Sequence, residues 1–282
     1  PLFMAVVTVL GIAQDGGRPQ PGCVRLCCRD LNSEDIRSPV SLGIKTDEGK
    51  TILFEATRDL GRQLRIFGVS EIDHLFITHA HLGHVDGMGL FGRETMSSQN
   101  IQLHCSPSMQ NLIRSTPAWN QLLQQGVFKF GTFPRIEFDN LIVEFIPVPH
   151  RAELSDVHAL ILRGKRKSVL FMTDHDSWDE TLAAHDCSSI REFLKKFEVD
   201  LAFLDATFWS GDELMKRDMK EVPHPTVQES LARLGDRQDS DPEIYFTHLN
   251  HTNPLHNEAS QEHQTVIEAG WKVAREAQKF TI

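Results

Sequence analysis

Short apolar runs, rich in β-branched and aromatic residues, recur along the chain and stop at polar clusters. They predict strands at Met4–Leu10, Val40–Lys45, Thr51–Phe54, Ile72–Ile77, Leu141–Val148, Ser168–Thr173, Leu201–Leu204 and Ile244–Thr247. Helical patterns lie between them. Ser189 and Glu192 have the spacing of a capping box, which opens a helix running through Phe197. Pro225–Leu234 reads as another, with proline in its first turn and Gly235 as its stop. Pro107–Gln125 and Asn257–Ala269 are two more, and Pro117 is expected to break or kink the first. Strands alternating with helices, with polar clusters at the strand ends, predict an α/β layered protein whose site lies at the sheet edges. No linker, repeat or low-complexity tract interrupts the pattern, so a single domain over 1–282 is expected.

The polar clusters carry the candidate chemistry. Leu75-Phe76-Ile77 runs into Thr78-His79-Ala80-His81-Leu82-Gly83-His84, so one loop offers several imidazoles to one point. Imidazole suits zinc, iron and related transition metals. Further apolar runs end at His150, Asp174, Asp205 and His248. A polar residue capping a buried strand is rigidly held, as a metal site requires. Any one of these alone is more often a hydrogen-bonded loop residue.

Composition narrows the partners. The chain has 282 residues, 40% hydrophobic and 24% charged, which is ordinary for a soluble globular protein. No apolar run approaches the roughly 20 residues that span a bilayer. The first ten residues read as a strand rather than a signal peptide, so a cytoplasmic protein is expected. The net charge of −10 argues against gripping a phosphate backbone, and the basic cluster Arg163–Lys167 reads as a solvated hairpin turn. A small-molecule substrate is therefore expected, with no nucleic acid and no membrane, and with a homodimer among the expected forms. Of the five cysteines, Cys23, Cys27 and Cys28 cluster, while Cys105 and Cys187 stand alone. An odd count with a vicinal pair suits reduced thiols or a metal clip better than disulfides.

The histidine loop resembles the His-x-His-x-Asp-His signature of the metallo-β-lactamase superfamily. The order of His150, Asp174 and His248 follows that superfamily to residue 248. The resemblance implies the four-layer αββα sandwich, two β-sheets face to face with helices outside. It further implies that His79, His81 and His150 hold a first metal, that Asp174 bridges two metals, and that His84 and His248 hold the second. Gly83 stands where the signature has aspartate, so the second site is expected to be weak or empty. Asp176 or Asp86 is a candidate to compensate, although Asp86 reads better as a helix-start charge. Gly83→Asp is then expected to raise the metal stoichiometry.

Gly11–Gln20, Asp205–Trp209 and His248–Pro254 are similar to the branch containing pyrroloquinoline-quinone biosynthesis protein B. Relatives in that branch, and the phosphodiesterase of the phosphonate-degradation operon, carry a closely spaced cysteine set that binds a structural zinc. The ligands implied here are Cys23, Cys27 and Cys28, with His224 as a candidate fourth; the alternative is three free cysteines in a loop. His175 and His251 read as partners that orient ligands. Gln14 and Asp15 read as a turn or as the pocket mouth, and Phe91–Trp119 as a cover over the pocket.

The implied activity is metal-dependent hydrolysis of a small ester, lactone or phosphodiester by a metal-bound hydroxide. One zinc is expected to be held firmly and a second weakly or not at all, with iron as the other candidate metal. Asp174, Asp15, Asp176 and His251 are the candidate catalytic side chains, the last three assisting the leaving group. Histidines with one carboxylate also suit non-haem iron. The alternatives are therefore an iron-dependent oxygenase or oxidase in small-molecule or cofactor biosynthesis, and a non-catalytic metal-binding protein.

Overall fold

The computed structural model describes residues 4–214 and 221–282. Its strands in chain order are β1 (Val6–Gly11), β2 (Ser41–Lys45), β3 (Thr51–Phe54), β4 (His74–Phe76), β5 (Ile101–His104), β6 (Phe128–Phe130) and β7 (Arg135–Phe138). They continue with β8 (Leu141–Pro147), β9 (His158–Gly164), β10 (Ser168–Met172), β11 (Leu201–Asp205), β12 (Glu243–Thr247), β13 (Lys272–Val273) and β14 (Lys279–Thr281). One seven-stranded sheet has the order β14-β1-β2-β3-β4-β5-β6, and a second has β13-β12-β11-β10-β9-β8-β7. With helices outside the two mixed sheets, this is the αββα sandwich.

The apolar runs are nearly continuous because central strands are covered on both faces. In β3, Ile52 and Phe54 join the core that the first sheet shares with the second sheet's Phe171 and Phe203. Leu53 points the other way, into a separate cluster with Leu60, Phe67, Met109 and Ile113 from the outer helices. Phe91–Trp119 does not cover the pocket. Phe91 and Ile113 are buried in that outer cluster, with Trp119 packed against it.

The expected helix over Pro107–Gln125 is two, Pro107–Ser115 and Pro117–Gln124. Thr116 between them is extended, the conformation imposed on a residue before proline. Ser189 caps the helix Ile190–Lys196 by accepting from the Glu192 amide, as the capping box predicts. The basic cluster is a hairpin turn, with Ser168 paired to Arg163 across it.

Strand direction gathers the site. β10, β11 and β12 are parallel and pair in sequence, Met172 with Leu204 and Asp205 with Thr247. Residues just beyond their C-terminal ends therefore emerge at one edge. β4 ends at Phe76 and delivers the histidine loop, pinned there by Ala80 N donating to Ser155 Oγ at 3.0 Å.

Candidate metal centre

His79, His81, His150 and Asp174 converge closely enough to hold one metal ion, and His84, His248 and Asp15 form an adjoining group. Asp174 lies between the two groups. Its Oδ1 is 3.9 Å from His79 Nε2, 3.7 Å from His150 Nε2 and 3.6 Å from His248 Nε2, and its Oδ2 is 3.4 Å from His84 Nε2. His79, His84, His150, His248 and Asp174 are all buried.

The outer nitrogens are held by the protein. His79 Nδ1 shares a hydrogen bond with Thr78 Oγ1 at 2.9 Å, and His248 Nδ1 with Thr207 Oγ1 at 2.8 Å. His150 Nδ1 donates to Asp176 Oδ1 at 2.9 Å. A carboxylate behind a metal-facing imidazole fixes its tautomer and raises its basicity. Behind His84 lies the buried Glu55, whose Oε1 is 3.6 Å from His84 Nδ1.

The inner nitrogens give the test of fit. Among the described residues, Nε2 of His79, His84, His150 and His248 is buried without a hydrogen-bond partner. Buried polar groups are rarely left unpaired, and several aimed at one carboxylate call for a cation. Zinc–nitrogen and zinc–oxygen bonds of about 2.0–2.1 Å in a tetrahedron put donors about 3.3 Å apart. The 3.4 Å separations of His84 and His248 Nε2 from Asp15 Oδ1 have that spacing. Burial holds the His79 pKa well below its ordinary value and pushes His150 down to about 4. Both are therefore neutral near pH 7, the form that binds metal. Burial opposes the charge of Asp174, but the histidines around it outweigh burial and hold its pKa well below the usual carboxylate range. The residues present fit a transition metal.

His248 has φ +64°. A non-glycine residue in the left-handed region is uncommon and gathers at functional sites. His81 is the most open of the set, with Nε2 3.3 Å from Glu153 Oε2.

The second cluster differs from expectation in its histidine. Cys23 Sγ is 3.7 Å from Cys27 Sγ, while His251 Nδ1 is 3.6 Å from Cys27 Sγ and 3.3 Å from Cys28 Sγ. Tetrahedral zinc with zinc–sulfur bonds of about 2.3 Å separates its sulfurs by about 3.8 Å. The fourth group of this cluster is thus His251, which the sequence reading had placed among the catalytic side chains. His224, expected here, lies instead beside Asp174 and His248. Its Nδ1 donates to Asp205 Oδ2 at 2.6 Å, and among the described residues Nε2 has no hydrogen-bond partner. Val222-Pro223-His224-Pro225 follows no strand, so nothing local in the sequence placed it at the histidine centre.

Three smaller expectations also change. Asp176 backs His150 rather than completing the second group. Asp86 follows the short helix Leu82–Val85 and pairs with Arg58 Nη2 at 2.8 Å, so it is a surface charge at the end of that helix, not its start. Asp15 is no simple turn residue, since it reaches both His84 and His248. A cavity of about 590 Å³ opens beside Asp15 and is also lined by Gln14, Phe208, Asn250 and His251.

Comparison with known proteins agrees with this architecture. The model of the beta-lactamase superfamily domain matches residues 50–249. Coenzyme PQQ synthesis protein B of Xanthomonas campestris pv. campestris is 23% identical over 98% of this chain and 99% of its own length. Zinc-bound PqqB from Methylobacterium extorquens superposes with a TM-score of 0.74 at 19% identity, covering 98% of this chain and all of that one. A diphosphatase of the PhnP family superposes with a TM-score of 0.67 at 23% identity, covering 99% of this chain and 97% of that one.

Proposed function

The chain belongs to the metallo-β-lactamase superfamily, and on that premise we propose that it is a metal-dependent hydrolase of a small ester, lactone or phosphodiester. The observation that carries the reading is the ring of buried, partnerless imidazole nitrogens around Asp174. His79, His81, His150 and Asp174 would hold one ion, zinc in the first instance, and His84 and His248 would share Asp174 with a second. A bound ion of this kind supplies Lewis acidity and lowers the pKa of water from about 15.7 towards 7.

The chain's own residues do the rest. Thr78, Asp176 and Thr207 fix the imidazoles, so little reorganisation is left for the moment of reaction. Asp205 keeps the Nδ1 proton of His224 and aims the other nitrogen at the site, where it can protonate a departing oxygen. The cavity beside Asp15, about 590 Å³, suits a small molecule. The name of the zinc-bound neighbour supports zinc as the first metal to test. In the cysteine cluster, Cys23, Cys27, Cys28 and His251 would hold a further zinc with a structural role.

The test is elemental analysis of protein purified without added metal, followed by assay on an aryl ester, an aryl lactone and bis-nitrophenyl phosphate. Zinc bound at the histidines, with turnover lost together with metal in His79→Ala and His150→Ala, is the expected result. An iron protein that consumes oxygen with its substrate, or a metal-loaded protein inert to all three probes, would overturn the reading.

A further inference from the structure

Gly83 occupies the signature's aspartate position, and the space its side chain would enter is taken. A Cβ built on Gly83 would lie 2.4 Å from each of Cα, Cβ and Cγ of Asp15. Real Cβ atoms do not approach other atoms that closely. Gly83 is buried in the short helix Leu82–Val85, and glycine is a poor helix former. Its presence there calls for a steric reason, and Asp15 is that reason.

Asp15 arrives from the far end of the chain. It follows β1, and its loop is stitched to the strand end that carries His248. Gln14 N donates to Leu249 O at 2.9 Å, and Leu249 N donates to Ile12 O at 2.8 Å. Gly17 N closes the turn onto Gln14 O at 2.8 Å. These backbone bonds deliver the Asp15 carboxylate to a point 3.4 Å from both His84 Nε2 and His248 Nε2. Neither nitrogen has a hydrogen-bond partner there.

We propose that Asp15 supplies the carboxylate of the second metal position in place of residue 83, and that Gly83 is the clearance this relocated ligand requires. The proposal rests on the metal-dependent reading above and sharpens it. The second position then has Asp15, His84 and His248 as its converging donors, and Asp174, 3.4 Å from His84 Nε2 and 3.6 Å from His248 Nε2, as the carboxylate shared with the first. The sequence expectation of a weak or empty second site is replaced by a competent one. The expectation that Gly83→Asp would raise the metal content is reversed, because its Cβ collides with the ligand already in place.

The experiment uses the full chain loaded with zinc, with anomalous diffraction at the zinc edge to separate the positions and chelator competition to measure their affinities. Wild type is expected to show two peaks flanking Asp174. Asp15→Asn should weaken the peak between His84 and His248, with a loss of more than about 100-fold in affinity, above the range for losing an outer-sphere partner. The peak at His79, His81 and His150 should remain. Gly83→Ala removes no donor, yet it should weaken the same position by displacing Asp15. Circular dichroism of each variant checks the fold.

A second zinc held at wild-type affinity in Asp15→Asn, or unaffected by Gly83→Ala, would overturn the proposal, as would a wild type with only the first zinc at saturation. Either result leaves the hydrolase reading standing. A wild type with no zinc at any of the histidines would remove both.

Discussion

Asp205 is fully buried and serves several donors at once. Its Oδ1 accepts from the Thr207 amide at 3.0 Å and hydroxyl at 2.7 Å, and its Oδ2 accepts from His224 Nδ1 at 2.6 Å. Thr207 in turn meets His248, so one carboxylate fixes both a candidate metal ligand and a candidate proton donor. If His224 is the proton donor, His224→Ala should lower kcat by about 10²–10⁴ with zinc content unchanged. Loss of zinc in that variant would make His224 a ligand instead, since it also lies within reach of Asp174 and His248. The sequence marked His79, His81, His84, His150, Asp174 and His248 because each closes an apolar strand or follows one in a dense cluster. Glu55, the place of His224 beside Asp174 and the role of Asp15 escaped it. His224 lies between prolines with no strand before it, Glu55 meets His84 across separate loops, and Asp15 reaches the site only through the pairing of its loop with Leu249.

The segment around the cysteines behaves differently from the sheets. Its helix, Leu26–Arg29, has four residues and buries only Cys28. Val24 and Leu26 are 79% and 76% exposed, so among the described residues no apolar core holds this loop. The thiols and His251 tie it to the turn after β12, next to the Asp15 loop. Burial pushes the Cys28 thiol up to about 12, so it stays protonated until a cation displaces the proton. Cys28→Ser should expose residues 19–30 to limited proteolysis and lose one zinc while the histidine positions keep theirs, and complete chelation should expose the same segment. An unchanged cleavage pattern after chelation would show that the loop needs no ion. Among the strands, legibility followed burial only in part, since β9 is buried along most of its length and the sequence reading does not include it. β3, β10, β11 and β12 were visible as apolar runs because both of their faces are covered, whereas β8 alternates buried and partly exposed residues. β6, β13 and β14 span two or three residues at or near sheet edges, too short for any period to register. The layered class was therefore readable from pattern. The face-to-face pairing of two sheets came only through the histidine motif, since periodicity does not say which sheet a strand joins.

At the scale of the whole molecule, the second sheet is closed at one end by charge. Glu243, the first residue of β12, accepts from Lys272 of β13 at 2.6 Å and from Lys167 in the β9–β10 turn at 3.0 Å. One carboxylate thus ties the sheet's edge strand to a hairpin two strands beyond β12. The hydrogen bond from Lys272 is the largest effect on Glu243, and together with Lys167 it outweighs burial and lowers the pKa from an ordinary 4.5 to about 2. A carboxylate whose pKa is depressed on folding stabilises the native state above its unfolded pKa. That stabilisation is lost as pH falls through the folded value. Wild type should therefore melt above Glu243→Gln by a constant margin at neutral pH. The margin should begin to shrink near pH 4.5 and should be gone near pH 2, because the protonated acid and the amide bind the lysines comparably. The side chain is about one quarter exposed, so solvent screens the pair and added salt should narrow the neutral-pH margin as well. Scanning calorimetry of both proteins from pH 7 to pH 2 measures this. A margin that persists unchanged at pH 2 would mean that Glu243 acts through packing, and that the lysines contribute no charge-dependent stability to the end of the sheet.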